Sequence, residues 1–368
     1  MPASPPSLQR YSAHLRVTLD WLVRSIRHGK GGSSAYYSPL RGWSAPYPET
    51  SGYIIPTLLD AASALDDASL RASALQLGEW LLELQDEAGW WPGGLLTSRS
   101  SRQPSVFNTA QILDGMVALA HNTEDERWRA AATHGALWLT QTLGDDGCWQ
   151  IGNYREGVNP SYYSQVAWPM LQAWTLTGDD EIRDGASRVL ARIMGRRAPS
   201  GLIEGWGFDE GRPAFTHTIA YTLRGFIESA QVLDAWDAYG EPCMAALEKL
   251  ARKAELANGR LPGAYRDDWS AVSWYSCLTG NAQIALCLLR VEERKSDLRL
   301  VNSAAKLTDY VCSRQQTGFG LAGTRGAVAG SSPPWGRYMF MRYPNWAAKY
   351  HADALMMLSA RLKREIAP

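Results

Sequence analysis

Six stretches of the chain open with polar and aromatic residues and then turn apolar around the helical turn: Ser51–Leu65, Asn108–Ala120, Tyr162–Thr177, Thr216–Leu233, Ser273–Val291 and Asn345–Leu362. A surface helix carries a single apolar stripe, so these stretches predict buried helices. The fifth shows the arrangement most plainly. Trp274, Tyr275, Ser276, Asn281 and Gln283 open it, and Ile284 to Leu289 are then continuously apolar. Such a helix is buried along its length and turns a polar N-terminal end toward a cavity. Six buried helices need six covering ones.

The covering helices show themselves as a repeat. Trp80–Trp90 and Trp138–Trp149 each close a helical run with a glycine beside a tryptophan, at Gly89-Trp90 and Gly147-Cys148-Trp149. Weaker copies end at Gly201-Leu202, Gly259-Arg260-Leu261 and Gly318-Phe319. Glycines at 89, 147, 201, 259 and 318 are spaced by 58, 54, 58 and 59 residues. A further copy runs from Leu15 through Trp21 and Leu22 to Gly29, Gly31 and Gly32. Six helical hairpins of this length close most simply into a ring, so the expected fold is all-α: a six-hairpin α/α toroid of twelve helices. One closed ring of repeats uses all 368 residues without a linker, which predicts a single domain over 1–368.

Connections from inner to outer helix read as short, as at Asp66-Asp67-Ala68 and Thr177-Gly178-Asp179. Those from outer to inner helix are long: 29–50, 88–107, 144–161, 199–215, 258–273 and 317–344. All the long loops therefore collect on one face of the ring, and long loops in compact folds tend to carry function. They are rich in Trp and Tyr, including Trp43, Trp90, Trp149, Trp206, Trp335 and Tyr338. Flat rings with polar tips suit the apolar faces and hydroxyl edges of sugars. The Gly-Trp steps also have a structural role open to them, locking each loop onto the helix below.

Charge narrows the partners. Thirty-seven basic residues balance thirty-seven acidic ones with no basic stripe, which speaks against nucleic acid. No apolar run reaches bilayer-spanning length, and Met1–Ser7 has no leader pattern, so no membrane insertion is expected. Cysteines 148, 243, 277, 287 and 312 have no metal or redox spacing. The expectation is a cytoplasmic protein with reduced thiols, no cofactor and no resident metal.

The fourth inner helix carries His217, Tyr221, Arg224 and Glu228 at offsets 0, 4, 7 and 11, one polar stripe on an otherwise buried element. Arg224 and Glu228 read as an internal ion pair, and His217 and Tyr221 as functional. In the sixth, Lys349 and Asp353 also stand four apart, His351 falls on a different face, and Asn345 follows Pro344 in an N-cap position. At the start of the first, Glu49 either complements the helix dipole or serves as an acid, base or hydroxyl acceptor.

The repeat that closes in Gln and Gly-x-Trp resembles the squalene cyclase and protein prenyltransferase toroids. Neither the Asp-x-Asp-Asp acid of the cyclases nor an Asp-x-Cys zinc pair is present, so that likeness is architectural. Trp274-Tyr275-Ser276 with Gly280 and Gln283 is similar to a segment of the glucuronyl carbon-5 epimerase toroid, and Tyr343-Pro344 resembles its Glu-Tyr-Pro, with Arg342 in place of the glutamate. His217 and His351 look like the two acid/base histidines of the N-acylglucosamine 2-epimerase family. Motifs such as Pro48-Glu49-Thr50-Ser51 and Thr216-His217-Thr218 also resemble bacterial proteins encoded with polysaccharide biosynthesis enzymes.

These resemblances and residues imply proton-transfer chemistry on a sugar or uronic-acid-containing glycan, as epimerase or lyase. His217, Tyr275, Tyr221, His351 and Tyr338 are the candidate acids and bases. Arg337 or Arg224 would bind a uronate carboxylate. Glu49, Trp43, Asn108, Tyr163, Trp206, Asp268, Asn281, Gln283, Asn345 and Lys349 complete the candidate substrate-binding set. Hydrolysis by paired carboxylates drawn from Glu49, Asp209 and Asp268 is the alternative enzyme. A non-catalytic glycan-binding or scaffold toroid, its cavity plugged by aromatics, is the third possibility.

Overall fold

The computed structural model describes residues 6–97, 102–209, 211–318 and 320–366. Among these, the α-helices are α1 Pro6–His28, α2 Pro48–Leu65, α3 Ala68–Leu82, α4 Val106–Asn122, α5 Glu126–Gln141, α6 Ser164–Thr177, α7 Asp180–Met194, α8 Thr216–Val232, α9 Met244–Leu256, α10 Leu278–Lys295, α11 Leu298–Arg314 and α12 Asn345–Ile366. The even-numbered helices pack each on the next, and α12 returns to α2, so they form a closed inner ring. The odd-numbered helices cover them, α1 sealing α12. This is the six-hairpin α/α toroid.

Local chemistry sets the ends of these helices. Asp67, Asp125, Asp179 and Asp297 each accept a backbone N–H at the start of an outer helix, satisfying a donor that has no intrahelical partner. Left-handed Asp66, Gly178 and Ser296 end α2, α6 and α10 and turn the chain directly into the covering helix. The fourth hairpin departs from the short-connection expectation. There the chain passes through Trp236–Gly240 and Glu241–Cys243, and this turn packs on α8 while α9 leans on α10 and α11.

The Gly-Trp step is a staple. Trp91 and Trp149 are fully buried, and their indole N–H groups donate to Leu81 O (2.7 Å) and Leu139 O (2.9 Å), carbonyls near the end of the preceding outer helix. In the first copy the stapling ring is thus Trp91, with Trp90 half-buried beside it. Each glycine lies against the next outer helix, where a Cβ at Gly259 would stand 2.0 Å from Lys306 O. The equivalent in the last copy is Gly326, not Gly318. Gly326 has φ +83°, a Cβ there would stand 1.9 Å from Val17 O, and Gly318 has open space around it. Gln85 donates to Gly89 O and Gln315 to Gly326 O, so the shared glutamine keeps its partner although that glycine lies eleven residues on rather than four. Phe319, read as the aromatic of that copy, and Met1–Pro5 lie outside the described residues. Gly326→Ala is expected to cost about 1–3 kcal/mol in urea unfolding, and Gly318→Ala less than about 0.5.

Short ladders lace the long loops together at one end of the ring. Tyr36–Ser38 pairs with Gly42–Trp43 and with Tyr343–Pro344, Ala214–Phe215 with Ala264–Tyr265, and Ser276–Cys277 with Ser331–Ser332. The last pairing draws residues 273–277 out of the predicted fifth inner helix, because their backbone groups are spent on a neighbouring loop. Asn345 does not cap α12. Its amide donates to Ser33 Oγ, Ser34 O and Thr50 Oγ1, tying the last loop to the first where the ring closes. No described helix is long and apolar enough to cross a membrane.

Candidate active site

The loop end of the ring encloses a cavity of about 420 Å³, a size typical of small-molecule sites. The N-terminal turns of four inner helices reach it: Glu49 and Tyr53 from α2, Phe107 and Asn108 from α4, His217 and Tyr221 from α8, and Trp346 from α12. Loops add Tyr47, Tyr162, Phe208 and Tyr338, and the exposed rim carries Arg155 and Asp209, ion-paired at 2.5 Å.

Glu49 and His217 dominate its electrostatics, and burial shifts both toward their neutral forms. The Tyr47 hydroxyl donates to Glu49 Oε2 at 2.5 Å, and Tyr47 is itself hydrogen-bonded by Asn108. Burial nevertheless pushes the Glu49 carboxyl up to about 7, outweighing the Tyr47 bond. With Oε2 engaged, Oε1 is left to carry the proton. Burial pushes His217 down to about 4, against a hydrogen bond between its Nδ1 and Gln283 Oε1 at 2.9 Å. An amide oxygen facing the ring requires the proton on Nδ1, which leaves Nε2 with a free lone pair. The ring packs on Tyr221 (4.4 Å between centroids) and Tyr338 (5.4 Å). Burial pushes the phenols of Tyr53, Tyr162, Tyr221 and Tyr338 up, and an ionised Glu49 adds to this, so its field reaches across the cavity.

Tyr53 (tilted, 5.8 Å) and Tyr221 (edge-on, 6.0 Å) pack against Tyr350 to form a floor. Beneath it lies a charged layer. Lys349 sits over Tyr350 and donates to Asp353 Oδ2 at 2.6 Å. Arg224 lies over Trp168 at 4.5 Å and pairs with Glu228 at 3.5 Å, and Arg290 shares that carboxylate at 3.2 Å. Burial raises the Asp114 pKa here, against the pull of Lys349 and Arg224.

The structure therefore brings together Glu49, Asn108, His217, Tyr221 and Tyr338, with Gln283 behind His217. The other candidates lie elsewhere. His351 is fully buried outside the cavity, beside Cys312 and His14, because two residues past Lys349 the helix has turned it toward the outer layer. Tyr275 sits with Arg337 in a separate hollow, a consequence of the extended pairing at 276–277. Arg224 and Lys349 are below the floor, bound in the ion pairs foreseen for them. Trp43 stacks on His28 at 4.9 Å, and Trp206 packs edge-on to Trp269 at 5.4 Å beside another hollow. Tyr163 turns away and donates to Asn153, leaving its neighbour Tyr162 on the cavity. Asn281 donates to Gly259 O, Asn345 ties the ring closure, and Asp268 is an exposed turn residue accepting from Ser270 N. Tyr53, Phe107 and Arg155 were not singled out in advance. For Tyr53 the signal was available, one turn past Glu49 as Tyr221 is past His217.

No protein-family model and no curated protein sequence matches the chain. Its structure is similar to an unsaturated glucuronyl hydrolase specific for heparin (14% identity, 97% of this chain and 98% of that one, TM-score 0.76). It is also similar to cellobiose 2-epimerase from Spirochaeta thermophila DSM 6192 (14% identity, 100% of both chains, TM-score 0.74) and to a D-mannose isomerase (12% identity, 98% and 100%, TM-score 0.74). At such identities the likeness shows the shared toroid fold.

Proposed function

We propose that this protein is a carbohydrate-active enzyme that moves protons on a sugar, with His217 Nε2 as base and Glu49 as acid. The observation that carries this reading is the pair itself: a neutral histidine and a carboxyl inclined to stay protonated face one cavity, and environments that push two titratable groups apart mark acid/base partners. His217 would take a proton from the carbon next to a carbonyl while Glu49 protonates the carbonyl oxygen, giving an enediol. Return of the proton to the neighbouring carbon isomerises the sugar, return to the opposite face epimerises it, and loss of a β-oxygen makes the reaction a lyase. Neighbours titled cellobiose 2-epimerase and D-mannose isomerase support the substrate class. The open cavity favours an enzyme over a scaffold, and the five free cysteines are consistent with a cytoplasmic setting.

A second reading has a specific observation behind it. Asp209, paired with Arg155, lines the same cavity as Glu49, and two carboxylates in one cavity suit glycoside hydrolysis, the chemistry of the neighbour titled glucuronyl hydrolase.

Incubation with mannose, cellobiose and an unsaturated glucuronyl disaccharide in deuterated water separates the readings. Solvent deuterium at a ring carbon supports proton transfer, and new reducing ends without it support hydrolysis. The pH profile is a further check. The productive form has Glu49 protonated and His217 neutral, so kcat/KM should form a plateau between about 4 and about 7 and fall on both sides. A rate that keeps rising above pH 8 would rule out Glu49 as acid.

A further inference from the structure

Away from the cavity, α1, α11 and α12 meet at the seam where the two ends of the chain close the ring, and each contributes one metal-ligating side chain there. From His14, Cys312 and His351, one ligand atom each comes within 4.8 Å of the other two. Cys312 Sγ and His351 Nε2 are 3.9 Å apart. A zinc ion bonded to both at a tetrahedral angle sets that separation to about 3.6 Å.

The groups around the cluster prepare it. Gln315 Nε2 donates to Thr18 Oγ1 at 2.6 Å and to Gly326 O at 2.8 Å, so Oε1 is the atom that meets His14 Nδ1 at 2.6 Å. His14 therefore carries its proton on Nδ1 and presents Nε2 as a lone pair, the arrangement in which a second partner fixes the tautomer of a metal-binding histidine. His351 is fully buried, its Nε2 meets the Cys312 thiol in a long sulfur hydrogen bond of 3.9 Å, and its Nδ1 finds no hydrogen-bond partner. A cation bound at Nε2 would exchange that long contact for a metal bond.

We propose that His14, Cys312 and His351 bind a zinc-class divalent cation that fastens the N-terminal helix to the last hairpin. Two imidazoles and a thiolate select this borderline-soft metal, and a water completes four-coordination. Binding breaks the Cys312 S–H bond, forms the sulfur–metal bond and releases the proton to solvent. The imidazoles ligate in their neutral form. Because the site lies in the wall and not in the cavity, its role is to hold the ring closed.

Cobalt(II) and zinc are the probes, with the full-length protein stripped by a chelator. One Co²⁺ per chain should bind with a near-ultraviolet thiolate-to-metal band and the strong visible bands of four-coordination, and Cys312→Ser should remove the near-ultraviolet band. Zinc should raise the Tm of the stripped wild type, and His14→Ala, altered only on half-buried α1, should fold and lose that rise. Gln315→Leu, which frees the His14 tautomer, should weaken Zn²⁺ about 10–100-fold. Should Cys312→Ser fail to fold, the His14→Ala comparison still decides. Failure of the wild type to bind Co²⁺ at micromolar concentration, or binding that both variants keep, would overturn the site.

Discussion

Glu49→Gln is expected to lower turnover by about 10²–10⁴-fold while leaving the protein folded. Glutamine keeps the shape and still accepts from Tyr47 through its amide oxygen, but its NH₂ cannot surrender a proton. The same variant supplies its own folding control. The Glu49 pKa in the folded protein, about 7, lies above its ordinary 4.5, so its contribution to stability is whole below 4.5 and is lost as pH rises through 7. The wild type loses on the order of 3 kcal/mol across that window by this route, and Glu49→Gln does not. Urea unfolding at pH 4.5 and pH 8 should therefore find the variant gaining on the wild type at the higher pH. Activity retained within tenfold would remove Glu49 from the chemistry, whatever the stability data show.

Lys349→Met is expected to destabilise the fold by about 3–5 kcal/mol, since it leaves Asp353 and the buried Asp114 short of a cation beneath the aromatic floor. Asp353→Leu added to it should restore part of the loss, because replacing both members of a buried pair with apolar groups is far less damaging than removing one. Thr57 also donates to Asp353 at 2.7 Å, which keeps the restoration incomplete. For the surviving folded fraction, KM should stay near the wild-type value, as Lys349 is not on the cavity. A single substitution costing less than 1 kcal/mol, or a tenfold rise in KM, would contradict this placement.

The charged layer shows why polar residues on inner helices are hard to sort in advance. His217, Tyr221, Arg224 and Glu228 form one stripe by helical geometry, but the stripe descends the ring axis. Its first two members reach the cavity and its last two neutralise one another below the floor. Lys349 and Glu49 differ in the same way. Lys349, the fifth residue of α12, lies too deep to meet a ligand, and Glu49, the second residue of α2, stands at the mouth. His351 and Tyr275 miss the cavity for separate reasons, a rotation about the α12 axis and an extended segment where a helix was expected.

The hairpin count, the inner and outer assignment and the gathering of long loops at one end are all written locally, in helical periodicity and in glycines that touch the next helix. Such features depend on a few neighbouring residues, so they can be read from the chain alone. The working chemistry is different in kind. In the proposed chemistry a carboxyl at Glu49 serves as acid and His217 as base only because side chains from distant parts of the chain remove water from both, and desolvation belongs to the assembled ring. Likewise His14, Cys312 and His351 become a cluster only when the first helix packs against the last two. No spacing along the chain encodes that meeting.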